Sequence, residues 1–123
     1  MARAMKTVDE AFPMPDAADV TIDHEHLARM TFGDRELARE LLDLFDRQAA
    51  LLIDRMAGSD PAAVAALAHT LKGSALGIGA GGVARAAEAL ERAMAPGEGA
   101  RALDNLTRAV SAAHRTIAEM LRP

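Results

Sequence analysis

Hydrophobic residues recur every three or four positions along most of the chain, which is the spacing of one face of an α-helix. The four long series are Leu37–Met56, Val64–Ile78, Val83–Met94 and Leu103–Leu121. A shorter series over residues 23–31 places Leu27 and Met30 on one side. Because amphipathic helices joined by short turns pack side by side, the pattern predicts an all-α protein: an antiparallel four-helix up-down bundle with a short extra N-terminal helix.

Residues that start and stop helices separate these series. Gly33 is expected to end the short helix and Asp34 to cap the next, while Gly58-Ser59-Asp60-Pro61 combines a helix stop, an N-cap and a proline suited to the first helical position. The fifth helix follows a turn over residues 95–99. The expected limits are a second helix after Asp34, a third from Pro61 to about Gly77 or Gly79, a fourth from near Gly82, and a fifth from about Ala100 to Leu121.

The same periodicity predicts which side chains are buried. The second helix is expected to bury Leu37, Leu41, Leu44, Phe45, Gln48, Leu51, Leu52 and Met56. The fourth is expected to bury Val83, Ala86, Ala87, Leu90 and Met94, and the fifth Leu103, Leu106, Val110, Ala113, Ile117 and Met120 or Leu121. Residues 1–20 show no steady period and mix Ala, Asp and Pro, so we expect a flexible N-terminal arm or a loosely docked extension, followed by the helical bundle over residues 21–123.

Composition excludes several classes of function. Of the 123 residues, 50% are hydrophobic, with three Phe and no Trp or Tyr, which predicts one domain with an aliphatic core. The net charge of −4 and the lack of a basic stripe argue against nucleic acid as a partner. The absence of cysteine excludes thiol chemistry and fits a reducing cytoplasm. No apolar run approaches the ~18 residues of a membrane span, and no apolar region follows Arg3 and Lys6 as it would in a signal peptide. We therefore expect a cytoplasmic protein with no membrane partner.

The predicted third helix has an unusual outer face. With a turn of about 100° per residue, its inner stripe is Val64, Leu67, Ala68, Leu71, Ala75 and Ile78. His69 then lies roughly 150° from that stripe, facing water. Around it are small or apolar residues: Ala62, Ala65, Ala66, Gly73, Leu76 and Gly77. Apolar surface at exposed helix positions often marks a docking site, although the alanines are equally explained by their high helix propensity.

Three residues on this face suggest phosphoryl chemistry. The imidazole of His69 is a plausible nucleophile because its neutral form is well populated near neutral pH. Lys72, at i+3, offers a mobile positive charge suited to a phosphate on the neighbouring ring. Gly73 costs roughly 1 kcal/mol in a helix interior relative to Ala, so its presence favours a role in leaving clearance for another molecule. Together they describe an exposed nucleophile with a cation beside it and open space above it.

At these residues the chain resembles the histidine phosphotransfer (HPt) family, whose pattern reads roughly His-x-Leu-Lys-Gly-Ser and then Gly-Ala. The matching residues are His69, Leu71, Lys72, Gly73, Ser74, Gly79 and Ala80. Ala75 departs from it, since the family often has a second small polar residue there. The resemblance is strongest at residues 68–80 and extends by helix pattern over about residues 20–122. It implies the same helical bundle.

The resemblance also implies the roles of the site residues. His69 would carry the phosphoryl group on its outer ring nitrogen, Lys72 would stabilise its charge, Gly73 would leave room for a partner, and Ser74 would support the local geometry or simply bond within the helix. The partner surface is expected at Ala62, Ala65, Ala66, Thr70, Leu76 and Gly77. The implied partners are response-regulator receiver domains and a hybrid histidine kinase, with the chain itself a monomer. No cofactor is expected, since any Mg²⁺ would belong to the partner receiver.

The leading hypothesis is therefore a phosphoryl carrier that relays phosphate between receiver aspartates through His69, and not a self-sufficient enzyme. A histidine kinase would need a nucleotide-binding domain, for which the sequence has no motif. His24, His26 and His114 form no readable metal site and are expected to be structural or solvated. The alternative is an HPt-like docking module that inhibits a receiver or kinase without carrying phosphate, because the same apolar face would serve it.

Overall fold

The computed structural model describes residues 22–123, and the predicted N-terminal arm, residues 1–20, lies outside this range. The described chain is helical throughout its regular structure. Its five helices are α1 (His24–Met30), α2 (Arg35–Met56), α3 (Pro61–Ile78), α4 (Gly81–Arg92) and α5 (Glu98–Met120). The prediction of an all-α fold is thus confirmed over these residues. None of these helices is both long and apolar enough to cross a membrane.

Aspartates cap the first three helices, as the sequence predicts for the second and third. The carboxylates of Asp23, Asp34 and Asp60 each accept a hydrogen bond from the backbone N–H three residues on, which satisfies a donor that the helix itself leaves unpaired. Pro61 occupies the first turn of α3, where a missing N–H costs nothing. These boundaries therefore follow directly from local chemistry.

The last two helices begin slightly earlier than predicted. α4 starts at Gly81, one residue before the expected Gly82. α5 starts at Glu98, because the Glu98 carboxylate accepts hydrogen bonds of 2.9 Å from the N–H groups of both Met94 and Ala95. These bonds lower the pKa of Glu98, that from Ala95 most and that from Met94 next. The predicted turn over residues 95–99 is shortened accordingly.

The core lies between the four long helices. α2 packs against α3 and α5, and α4 packs against α3 and α5, while α1 lies against α2 and α3. Buried side chains from every helix fill the centre, among them Leu27, Phe45, Leu71, Val83 and Leu106. Phe45 is the aromatic member of a core that is otherwise aliphatic over the described residues. The prediction of an aliphatic core is confirmed.

Four residues that the sequence predicts to be buried are exposed in the structure. Leu44 and Leu51 on α2 are about half exposed, because α2 instead turns the neighbouring stripe of Leu42, Phe45, Ala49, Leu52 and Met56 into the core. Met30 is also half exposed at the end of α1, where the chain turns away. Met94 is almost fully exposed because α4 ends at Arg92, before the predicted face reaches it.

A close contact ties the start of α1 to the end of α3. Gly79 has a left-handed backbone with φ of 82°, and its carbonyl accepts a 2.9 Å hydrogen bond from the N–H of Asp23. A Cβ at Gly79 would lie only 3.0 Å from the Cβ of Asp23, so both the conformation and the space require glycine. The next residue, Ala80, is buried and pairs with Ile22. Gly79 and Ala80 therefore hold the start of α1 against the end of α3.

Candidate functional site

His69 lies in the middle of α3, on the side that faces away from the core. Its neighbours at Ala68 and Leu71 are fully buried, whereas the His69 side chain is 66% exposed. The helix is held in this rotation by Ala75 and Ile78, which continue the buried stripe. The predicted exposure of His69 thus follows from the residues that α3 buries on its other side.

The imidazole of His69 is held by a carboxylate from the next helix. Nδ1 lies 2.8 Å from Oε2 of Glu91, near the end of α4. An ionised carboxylate only accepts hydrogen bonds, so Nδ1 carries the proton in this contact. In the neutral ring, Nε2 then bears the lone pair. The contact fixes both the orientation of the ring and the nitrogen that is available to react.

Glu91 also faces Lys72, which joins the three side chains into one cluster. The Lys72 Nζ lies 3.3 Å from Oε1 of Glu91, an ion-pair distance, although its direction leaves that buried oxygen without a hydrogen-bond donor. Burial acts to raise the pKa of the Glu91 carboxyl, but the contacts with Lys72 and His69 outweigh it and hold the pKa below its ordinary value. Glu91 is therefore charged at neutral pH.

Sequence reasoning missed Glu91. It stands 22 positions after His69, and no local spacing connects the two. A signal did exist in the helix order, because α3 and α4 are joined by a very short connection around Gly79 and Ala80. Residues at equal distances before and after such a connection lie side by side when the second helix turns back. His69 and Glu91 have that relation.

The helix surface beyond His69 is open. A methyl group at Gly73 would have no atom outside its own helical turn within 4 Å. Leu76, a further turn along, has a side chain that is 56% exposed. Thr70 is exposed and donates its hydroxyl to the carbonyl of Ala66. An approaching molecule would thus meet a bare backbone and an apolar side chain next to the imidazole.

The remaining predicted site residues differ in exposure. Ala62 and Ala66 are exposed, as expected, whereas Ala65 and Ser74 are half-buried. Gly77 is also half-buried, and its carbonyl accepts a 3.2 Å hydrogen bond from Nε2 of His26 on α1. The face beside His69 is therefore narrower than the sequence predicts, because α1 covers its far end.

The other histidines lie apart from this cluster. His26 holds α1 against α3, and His24 lines a cleft between α1, α2 and the end of α5. His114 on α5 pairs with Asp46 on α2, with Nδ1 2.8 Å from Oδ1 and 2.9 Å from Oδ2. Residues 22–123 contain no group of three or more metal-ligating side chains.

The His69 cluster combines groups that would allow the imidazole to act as a nucleophile. The ring presents Nε2 outward, a carboxylate lies behind Nδ1 to stabilise positive charge on the ring, and an ammonium lies one turn along the helix. The same carboxylate–imidazole relation supports the histidine of hydrolytic triads. The cluster lines neither the cleft between α1, α2 and the end of α5 nor a smaller cavity between the end of α2 and the start of α5.

Comparison with protein-family models gives a match to the Hpt domain over residues 34–121. Comparison with curated proteins and with solved structures gives no significant match. The matched range contains α2 to α5 and every residue of the His69 cluster. Hpt domains perform phosphotransfer in two-component systems. Since the match covers more than two thirds of the sequence, the chain belongs to the Hpt domain family.

Proposed function

We propose that this protein relays a phosphoryl group between the aspartates of receiver domains in a multistep phosphorelay, and that His69 carries the group. The observation that supports this most is the His69–Glu91 contact of 2.8 Å on an exposed helix face. It gives the ring one protonated nitrogen directed inward and one nucleophilic nitrogen directed to solvent. Lys72, 3.3 Å from the same Glu91, and the open space at Gly73 add the positive charge and the room that a phosphoryl group needs.

The proposed transfer is a direct displacement at phosphorus. The Nε2 lone pair attacks the phosphorus of an aspartyl phosphate, and the N–P bond forms as the bond to the aspartate oxygen breaks and the aspartate leaves as a carboxylate. The ring gains positive charge while Nδ1 keeps its proton. Glu91, 2.8 Å from Nδ1, stabilises that charge. Transfer to the next receiver reverses these bond changes.

Lys72 and Gly73 would act on the phosphoryl group and its donor. Lys72 lies one turn from His69 and is only half-buried, so its flexible stem can bring the ammonium to phosphate oxygens. Gly73 leaves the space above the ring open, and half-buried Ser74 would support the turn that carries both. The family resemblance and the open space at Gly73 support these roles.

The proposed docking surface includes exposed apolar residues of two helices. Leu76, Ala66, Ala62 and Thr70 provide it on α3, with Ala65 and Gly77 at its half-buried margins. Leu44 and Leu51, spaced seven apart, offer a second exposed apolar pair on one side of α2, the helix that packs against α3, and are proposed to add to this surface. Receiver domains and a hybrid histidine kinase are the proposed partners, in keeping with the partners of Hpt domains.

The up-and-down arrangement is part of this proposal. Arg39, at the start of α2, donates a 2.6 Å hydrogen bond to the carbonyl of Leu121 at the end of α5, and Asp46 further along α2 meets His114 further back on α5. Such contacts support opposite directions for the two helices. We also propose a cytoplasmic monomer that needs no cofactor of its own, with Mg²⁺ held by the receiver.

The test is phosphoryl uptake from a purified receiver domain carrying labelled aspartyl phosphate. We expect the wild-type protein to acquire label that is lost in acid and kept in alkali, as a phosphoramidate is, and the His69→Gln variant to acquire none. Circular dichroism of both proteins serves as the control for folding. Label on the His69→Gln protein would contradict the proposed acceptor.

The same experiment separates the alternative function. An inhibitory docking module would bind the receiver or kinase through the exposed leucines and acquire no label. Equal affinity of the wild-type and His69→Gln proteins for a receiver, with no label on either across a panel of receivers, would support that alternative and contradict the carrier.

A further inference from the structure

A cleft of about 680 Å³ lies at the opposite side of α1 from the helix that carries His69. α1, the first turns of α2 and the end of α5 form its walls. Its floor is apolar and includes Leu27, Ala38, Leu42 and Met120. A cleft of this size accommodates several side chains of a peptide.

The rim of this cleft is basic. Arg35, Arg39 and Arg122 line it, whereas Asp34 is the acidic residue among its lining side chains. Arg39 is occupied by the carbonyls at the end of α5, and Arg122 lies 3.4 Å from Glu119 in an exposed pair. An exposed ion pair such as that of Arg122 contributes about 1 kcal/mol or less, so Arg122 can exchange Glu119 for another carboxylate. The occupant that fits is an acidic segment with apolar side chains.

The turn beside the cleft carries an unusual aromatic residue. Phe32 has a φ of 55°, which non-glycine residues seldom adopt, and its side chain is 92% exposed. It stands between Thr31 and Gly33, both of which line the cleft. Strained backbone that holds an apolar side chain in solvent commonly marks a contact site. The cleft thus has an apolar anchor at its edge as well as on its floor.

The chain itself contains a segment with the required chemistry. Residues 7–20 include four carboxylates, from Asp9, Glu10, Asp16 and Asp19, and no lysine or arginine. Among these acids stand Phe12 and Met14. We propose that residues 7–20 dock in the cleft of the same molecule, with their carboxylates against the basic rim and their apolar side chains on its floor.

Chain connectivity favours this occupant over a separate molecule. The described chain begins at Ile22, two residues before His24, which itself lines the cleft. Fourteen extended residues span up to roughly 46 Å, more than enough to cross the site. A tethered segment has an effective concentration on the order of millimolar, so even weak contacts suffice to fill the cleft.

The test uses the full chain, which has no cysteine of its own. A spin label on an Ala11→Cys variant broadens backbone amide signals that lie close to it in NMR spectra. We expect loss of intensity at Ala28 and Ala38 in the cleft. Ser59 and Ala100 line a smaller cavity beyond the far end of α2. That helix is 22 residues long, or about 33 Å, so their signals should be retained.

Charge reversal provides the matched control. Replacing Arg35 and Arg122 with Glu in the labelled protein should restore the intensity at Ala28 and Ala38. Replacing Arg47 and Arg108, which lie outside the cleft, with Glu changes the net charge equally and should leave the broadening in place. Added salt at 1 M should weaken it, since the Debye length falls from about 10 Å to 3 Å between 0.1 and 1 M.

Two other outcomes would overturn the proposal. Full intensity at Ala28 and Ala38 in the labelled protein would mean that the segment leaves the cleft open for a different molecule. Broadening of an isotope-labelled, cysteine-free chain mixed with spin-labelled, unenriched chain would mean that the segment enters the cleft of a second copy. Either result is independent of phosphoryl uptake at His69.

Discussion

Two histidines of this protein have nearly the same immediate surroundings. His69 places Nδ1 2.8 Å from Glu91, and His114 places Nδ1 2.8 Å from Asp46. Each pair joins two different helices, and the two histidine side chains are 66% and 61% exposed. By the geometry of the ring and its carboxylate alone, either histidine is an equally good nucleophile.

The difference lies one helical turn further along each helix. Three residues after His69 stands Lys72, a cation that also meets Glu91, whereas three residues after His114 stands Ile117, which is buried in the core. The bare backbone of Gly73 follows His69 at the position where Ala118 follows His114.

This difference arises from how each histidine is set on its helix. His69 lies almost opposite the buried stripe of α3, so its helical neighbours are also exposed. His114 lies beside the buried residues Ala113 and Ile117 of α5, so part of its neighbourhood belongs to the core. A carboxylate partner orients an imidazole, but a site for phosphate needs room and positive charge around it as well.

Substitution of the two histidines gives the largest expected contrast. We expect His69→Gln to abolish phosphoryl uptake from a receiver and His114→Gln to leave its rate unchanged, because His114 has neither a cation one turn along nor open backbone beside it. Single-turnover labelling measures both. Equal loss in the two variants would indicate a requirement for the fold and not for a particular ring.

Enlarging Gly73 should have the next largest effect. A Gln at this position projects into the space above His69 and displaces a docked partner, at the roughly 1–3 kcal/mol typical of overpacking, or about 5- to 150-fold in receiver affinity. Isothermal titration calorimetry with a receiver measures this loss. A partner that binds Gly73→Gln with unchanged affinity would dock elsewhere on the molecule.

A matched pair of smaller substitutions checks that the loss is steric. Gly73→Ala should stabilise the fold by about 1 kcal/mol, since the helix gains propensity and the added methyl meets no neighbour. Ala118→Gly, at the equivalent place beside His114, should destabilise it by a similar amount. Chemical denaturation of both variants measures the two free energies of unfolding.

Neutralising each carboxylate should also distinguish the His69–Glu91 pair from the His114–Asp46 pair, with a smaller effect on phosphoryl uptake. We expect Glu91→Gln to slow phosphoryl uptake about tenfold, the effect of losing about 1.4 kcal/mol of stabilisation of the charged ring. Asp46→Asn should leave uptake unchanged. An uptake rate that is unaffected by Glu91→Gln would show that Glu91 only packs against His69.

Most of the fold could be predicted because its signals are local. Asp34 and Asp60 cap helices within three residues of themselves, and the buried stripe of α3 is continuous. The rotation of α2 could not be predicted, because this helix carries two apolar stripes. Leu37, Leu44 and Leu51 form one stripe and Leu42, Ala49 and Met56 the other, and only packing against α3 and α5 selects between them.

Some residues of the candidate site could likewise be predicted from the local sequence, and others could not. His69, Lys72 and Gly73 stand within one short stretch of sequence, so their shared face follows from helix geometry. Glu91 comes from another helix, and its place beside His69 depends on the register of α3 against α4. The half-burial of Gly77 likewise depends on α1, whose His26 reaches across to it.

The smallest expected effect is on how much the His69–Glu91 pair contributes to the free energy of unfolding at low pH. Because the contacts with Lys72 and His69 lower the pKa of Glu91 below its ordinary 4.5, the folded protein binds this proton less readily than the unfolded chain. The stabilisation of the folded state by these contacts is therefore present above about pH 4.5 and is lost as the pH falls through the lower folded value.

The stability advantage of the wild type over Glu91→Gln should shrink in that window. In a Lys72→Met background the shrinkage should be smaller, since one of the two cations is gone. Denaturant unfolding between neutral pH and pH 3 measures these differences, and an advantage that grew with acid would mean that burial of Glu91 outweighs its two partners.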